Sequence, residues 1–81
     1  MNRNEAEIIT KNVVAILEQE RIARKISKLQ ISNNTGLSRT ALTLIVDNKN
    51  SPTLRSLLMI SSAIGVDIVD VIHQAKSIKQ K

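Results

Sequence analysis

Between Ser27 and Asp47 the chain carries two short helical patterns separated by only three residues, Gly36-Leu37-Ser38, and few architectures accommodate that spacing. Helices joined so closely must cross at a steep angle and share one apolar contact. The residue types suit this. Ile31 is the apolar residue that the first of the pair turns toward its partner, and Ser32 next to it is small enough for a close crossing. Gly36 supplies the left-handed conformation that a tight turn requires. Leu37 is positioned to plug the gap. Leu42 and Ile45, three apart, give the second helix its inward side. Ser27 and Ser38 stand where N-caps are needed.

The flanks read as helices too. A first helix is expected from about Asn4 to Arg21, with Ile9, Val13, Ile16 and Leu17 as its apolar stripe and Glu5 and Glu7 suiting its N-terminal dipole. Residues 21–26 form a connection whose shape the sequence leaves open. The second helix runs from Ser27 to about Asn34, and the third from Arg39 to about Asp47. On the third, Leu42, Ile45 and Val46 share one side. Thr40, Ala41, Thr43, Leu44, Asp47 and Asn48 share the other, which is small, mostly uncharged and able to hydrogen-bond. Residues 48–52 are loop-like. A fourth helix is expected over Leu54–Ile64, capped by Thr53 and closed by Gly65, burying Leu54, Leu57, Leu58 and Ile64. A fifth is expected from Ile68 to Ala75, capped by Asp67, burying Ile68, Val71, Ile72 and Ala75. No clean apolar alternation runs for five residues outside a helical pattern, so the fold class is all-α: one domain over 1–76 with a basic tail at 77–81.

Composition narrows the function. With no Cys there is no disulfide framework, Cys-ligated zinc site or thiol nucleophile. His73 is the only histidine, so a metal site would need carboxylates that are sparse here, and a surface or interface role suits it better than catalysis. No aromatic ring is available to stack single-stranded bases. No run approaches the roughly 18–20 apolar residues of a membrane span, and Met1–Thr10 is too polar for a signal peptide. A cytoplasmic protein without membrane, cofactor, metal or small-molecule ligand is expected. No nucleophile–base pair or phosphate loop argues for an enzyme. A chain of 81 residues buries only roughly 60–65% of its surface, so association would help it.

The net charge of +5 is uneven. Residues 21–55 carry Arg21, Arg24, Lys25, Lys28, Arg39, Lys49 and Arg55 against Asp47 alone, while the ends are close to neutral. Such a segment is a solvated surface or the footprint of an anionic partner, of which nucleic acid is the commonest.

Three blocks of the sequence then carry a family resemblance. They are Gly36-Leu37-Ser38-Arg39-Thr40-Ala41-Leu42, Lys49-Asn50-Ser51-Pro52-Thr53-Leu54-Arg55-Ser56-Leu57-Leu58 and Ala63-Ile64-Gly65-Val66-Asp67-Ile68-Val69-Asp70-Val71. At this spacing, from about Ser27 to Val71, the chain resembles the phage-repressor-like, Cro/Xre-type helix-turn-helix family. It departs from the family at Thr35, where Leu is usual, at Asn48, where Gly is frequent, and at Val46, where Glu is common. That last change implies the absence of a buried Glu–Arg pair found in some members. The connection between the first two helices is also a few residues longer than usual.

The resemblance implies a compact five-helix, lambda-repressor-like domain that binds double-stranded DNA with the third helix in the major groove. Arg39, Thr40, Thr43 and Leu44 are then the expected base readers. Arg39 suits a guanine, and Leu44 suits a thymine methyl, although a singly exposed leucine is ordinary. Ser27, Lys28, Ser38, Lys49, Asn50 and Arg55 are the expected phosphate contacts, with capping and solvation as their plainer roles. Arg21, Arg24 and Lys25 would add long-range attraction. A homodimer on a palindromic operator is expected, with Val66, Val69 and His73 at its interface. The function expected is transcriptional repression. The alternative is an antitoxin or adaptor whose main partner is another protein.

Overall fold

The computed structural model describes residues 1–78 and contains five helices and, among those residues, no strand. They are α1 (Arg3–Ala23), α2 (Lys28–Thr35), α3 (Arg39–Val46), α4 (Leu54–Ile64) and α5 (Ile68–Ser77). Of the expected tail, residues 79–81 lie outside the described residues. Every helix opens on a short polar side chain that accepts a backbone N–H of its first turn: Asn2, Ser27, Ser38, Thr53 and Asp67. Each such cap is worth about 1 kcal/mol.

Left-handed residues terminate four of the helices. Gly36 (φ +78°) and Gly65 (φ +92°) end α2 and α4 as their residue type suggests. Lys25 and Asn48, each at φ +58°, do the same for α1 and α3. Both sit in the same hydrogen-bonded wrap. After α1, Ile26 N–H donates to Arg21 C=O and Lys25 N–H to Ile22 C=O, each at 3.0 Å. After α3, Lys49 N–H donates to Leu44 C=O at 2.9 Å and Asn48 N–H to Ile45 C=O at 3.1 Å. Asn tolerates this conformation, which explains how the chain keeps the turn without the glycine frequent at that position. The connection after α1 is thus a helical extension to Ala23 and then a tight wrap that drives Ile26 onto the core.

The core is aliphatic: Val13, Val14, Leu17, Ile31, Leu42, Ile45, Ile60, Ile64, Ile68, Val71 and Ala75. α1 packs along α5 and also meets α3 and α4, while α2 lies against α3 and α4. Ile31, 1% exposed, is the most deeply buried large side chain. At the far end, the Asn12 side-chain amide donates to Ala75 C=O at 3.2 Å, tying α1 to α5.

Three expectations need correction. On α4, Leu54 and Leu58 are 65% and 47% exposed; Ile64 is buried and Leu57 half-buried as expected, and Ile60 and Ser61 complete the inward face. Leucine content drew the expected face onto Leu54 and Leu58 and away from Ile60 and Ser61, because a serine gives no apolar signal. Ser61 is buried at no cost to its hydroxyl, which donates to Leu58 C=O at 3.1 Å. Val66 is not free on the α5 side. It follows the Gly65 wrap, donates its N–H to Ser61 C=O at 3.0 Å and packs against the core. Lastly, Arg21 and Arg24 are engaged within the fold. Arg21 forms a forked pair with Glu18, Nε to Oε2 at 3.0 Å, and its Nη1 donates to Ile26 C=O at 2.7 Å. Arg24 pairs with Glu20 at 3.2 Å and reaches the α4 carbonyl end at Ile64 and Gly65.

Candidate nucleic-acid interface

The turn between α2 and α3 is fixed by local bonds. Gly36 N–H donates to Ser32 C=O at 2.9 Å. A Cβ on Gly36 would meet nothing within 4 Å, so glycine is required there by its backbone angle and not by space. Thr35 completes the turn: its hydroxyl donates to Ile31 C=O at 2.7 Å and accepts Leu37 N–H at 3.1 Å. A leucine at this position, usual in the resembled pattern, could not hold that amide. Leu37 packs, half-buried, against the core, and Ser38 Oγ accepts Ala41 N–H at 3.0 Å to open α3.

Leu42 and Ile45 are buried, which turns the opposite side of α3 outward. Arg39 and Thr40 are exposed, and Thr43 and Leu44 are half-buried. An open groove of about 600 Å³ lies between this side of α3 and the start of α2. Ser27, Lys28, Leu29, Arg39, Thr40, Thr43 and Leu44 line it. All four residues expected to read bases, and two of those expected to touch phosphate, are therefore gathered on one concave surface. Ser38, Lys49, Asn50 and Arg55 are exposed but do not line it. Lys49 and Asn50 follow the α3 wrap, and Arg55 is in the first turn of α4.

The start of α2 is held by a reciprocal cap: Gln30 N–H donates to Ser27 Oγ at 3.1 Å, and Ser27 N–H donates to Gln30 Oε1 at 2.8 Å. Lys28, half-buried, crosses to α3, where its Nζ donates to Thr43 Oγ1 at 3.3 Å. Leu29, 51% exposed, was not among the expected site residues. The available signal was an apolar residue at the start of α2, out of phase with Ile31.

Glu18, Arg21, Lys28 and Val46 help line a second, small pocket of about 30 Å³. The forked hydrogen bond from Arg21, opposed by burial and helped by the charges of Arg21 and Lys28, holds the Glu18 carboxyl below its ordinary range. The same bond raises Arg21. With Val46 in place of an acid on α3, a partly buried Glu–Arg pair still exists, built wholly within α1. Val69, 56% exposed, and His73, also exposed, sit four residues apart on α5. Among the described residues no single helix is long and apolar enough to cross a membrane.

A helix-turn-helix family model matches residues 17–71, which spans the end of α1, the whole α2–α3 unit, α4 and the start of α5. Comparison with curated proteins and with solved structures returns no match.

Proposed function

The chain belongs to the Cro/Xre-type helix-turn-helix family of DNA-binding regulators, and on that basis we propose that it is a transcriptional repressor that binds a palindromic operator as a homodimer. In this reading α3 enters the major groove. Arg39, Thr40, Thr43 and Leu44 meet base edges, and Ser27, Lys28, Ser38, Lys49, Asn50 and Arg55 hold the flanking phosphates. The observation that carries it is the groove, where the outward side of α3 and the capped start of α2 line one open surface. An α-helix fits the width of the major groove of B-DNA. The unpaired amides at the start of α2 and the ammonium of Lys28 favour a phosphate.

Two protomers related by a two-fold axis would meet half-sites about 34 Å apart. The exposed Val69 and His73 on α5 are the surface we assign to the contact.

Selection of bound fragments from random duplexes, followed by titration against salt, tests the proposal. A symmetric site is expected. Six phosphates neutralised by Lys28, Lys49 and Arg55 of two protomers would make log K fall with log salt at a slope of about −5. Leu44→Ala should change sequence preference, whereas Lys49→Ala should weaken every duplex alike. A flat salt response, or equal affinity for all duplexes, would refute the reading. A stoichiometric protein partner with no DNA shift would move the chain to the adaptor or antitoxin class.

A further inference from the structure

We infer that Lys28 is a positioning residue for base recognition: by occupying a lone pair of the Thr43 hydroxyl, it makes that hydroxyl present its proton to the DNA. This deepens the major-groove reading above and rests on it. A threonine hydroxyl has one proton and two acceptor sites, and its proton rotates to suit its surroundings. Unconstrained, it meets hydrogen-bond donors and acceptors on bases equally well. An ammonium can only donate, so the 3.3 Å bond from Lys28 Nζ fixes Thr43 Oγ1 as its acceptor.

The direction of the remaining proton follows from comparison within the chain. Thr10 and Thr35 donate theirs back along their own helices, to Ala6 C=O at 2.8 Å and to Ile31 C=O at 2.7 Å. Among the described residues the Thr43 hydroxyl makes no such bond; Lys28 is its partner. The ammonium repels that proton, and Thr43 lines the open groove, so the groove is the side left for it. A hydroxyl polarised in this way prefers a base edge that accepts: O6 and N7 of guanine, N7 of adenine or O4 of thymine. The amino group of cytosine finds only the one lone pair left free, beside a like-charged ammonium donor, and is met less well. The two helices supply one half each, since Lys28 and Thr43 are fifteen residues apart and meet only because α2 crosses α3.

The experiment uses the full chain and its selected duplex, with each position of one half-site replaced by all four base pairs and affinities measured at fixed salt. Wild type should show one position that favours an acceptor edge about fivefold, the worth of one net hydrogen bond. Thr43→Val should flatten that position. Lys28→Met should flatten the same position while also weakening all duplexes and lowering the salt slope. The double variant should lose no further discrimination there. Lys28→Arg, which keeps a donor-only cation, should retain the preference, and thermal melts check that each variant folds. If Lys28→Met weakens all duplexes alike and leaves that position's preference intact, Lys28 is a phosphate contact only and the inference is overturned. Wild-type binding with no base preference at any position is a distinct failure, of the major-groove reading itself, and overturns both.

Discussion

Lys25 holds a backbone conformation that its side chain resists. It sits at φ +58° where α1 wraps to meet α2, and its exposed side chain makes no hydrogen bond or ion pair among the described residues. Left-handed backbone costs an L-residue roughly 1–2 kcal/mol. Glycine avoids that cost but loses about 0.5–1 kcal/mol more conformational freedom on folding. The difference, centred on about 0.75 kcal/mol, makes Lys25→Gly more stable than wild type. In a domain of this size that corresponds to a rise in Tm of about 2–8 °C. Thermal unfolding followed by far-ultraviolet circular dichroism reads it. Lys25→Ala is the control, because it removes the charge and keeps the strain, so its Tm should stay close to that of wild type. If Lys25→Gly melts lower than wild type, or if Gly and Ala shift Tm alike, the wrap is not strained at this residue and the argument fails.

Glu18 carries a pH dependence of known sign. Its folded carboxyl titrates below the ordinary 4.5, so its contribution is complete above that value and disappears as pH falls through the folded one. Denaturant midpoints measured across this acid range should fall more steeply for wild type than for Glu18→Gln, which should cost about 1–2 kcal/mol at neutral pH. Ile31→Ala removes the most deeply buried large side chain and should cost about 2–5 kcal/mol. Against a total stability on the order of 4–12 kcal/mol for a chain of this length, that is a large fraction, read as a clear drop in the denaturant midpoint by circular dichroism. Asn48→Gly should leave Tm unchanged or slightly raised, whereas Asn48→Ala should lower stability by about 1 kcal/mol, because glycine suits φ +58° and alanine does not.

The parts of this fold that were legible in the sequence are those set by one residue acting on its immediate neighbours. Ser27, Ser38, Thr53 and Asp67 cap the helices they precede because a short side-chain oxygen reaches an amide two or three residues on. Gly36 and Gly65 end helices for an equally local reason. The bounds of α4 follow from such signals at both ends, yet its buried face does not, because that depends on which side α1 and α2 approach. Lys25 and Asn48 escaped notice as helix ends for the converse reason: tertiary packing imposes the wrap and the residue type merely tolerates it. The candidate site divides in the same way. Outward positions on α3 follow from Leu42 and Ile45 pointing inward. Leu29 and the Lys28–Thr43 bond exist only once two helices have crossed.

Charge shows most clearly why counting along the chain differs from counting in space. Along the chain, residues 21–55 hold seven cations against Asp47 alone, but the first two of them are matched by Glu18 and Glu20, which lie just before them in sequence and one helical turn away in the fold. Arg21 and Arg24 spend their charge on closing α1 and on the carbonyl end of α4, where a cation is favoured by the helix dipole. The remaining cations are Lys25, Lys28, Arg39, Lys49 and Arg55. Lys28 and Arg39 line the groove, Lys49 follows α3 directly in the chain, and Arg55 stands in the first turn of α4. Removing the paired arginines from the count therefore shifts the centre of positive charge toward α3. The fold can thus use the arginines at the end of α1 for its own architecture and still offer a localised basic surface at α3, because the acids that neutralise them lie on α1 as well.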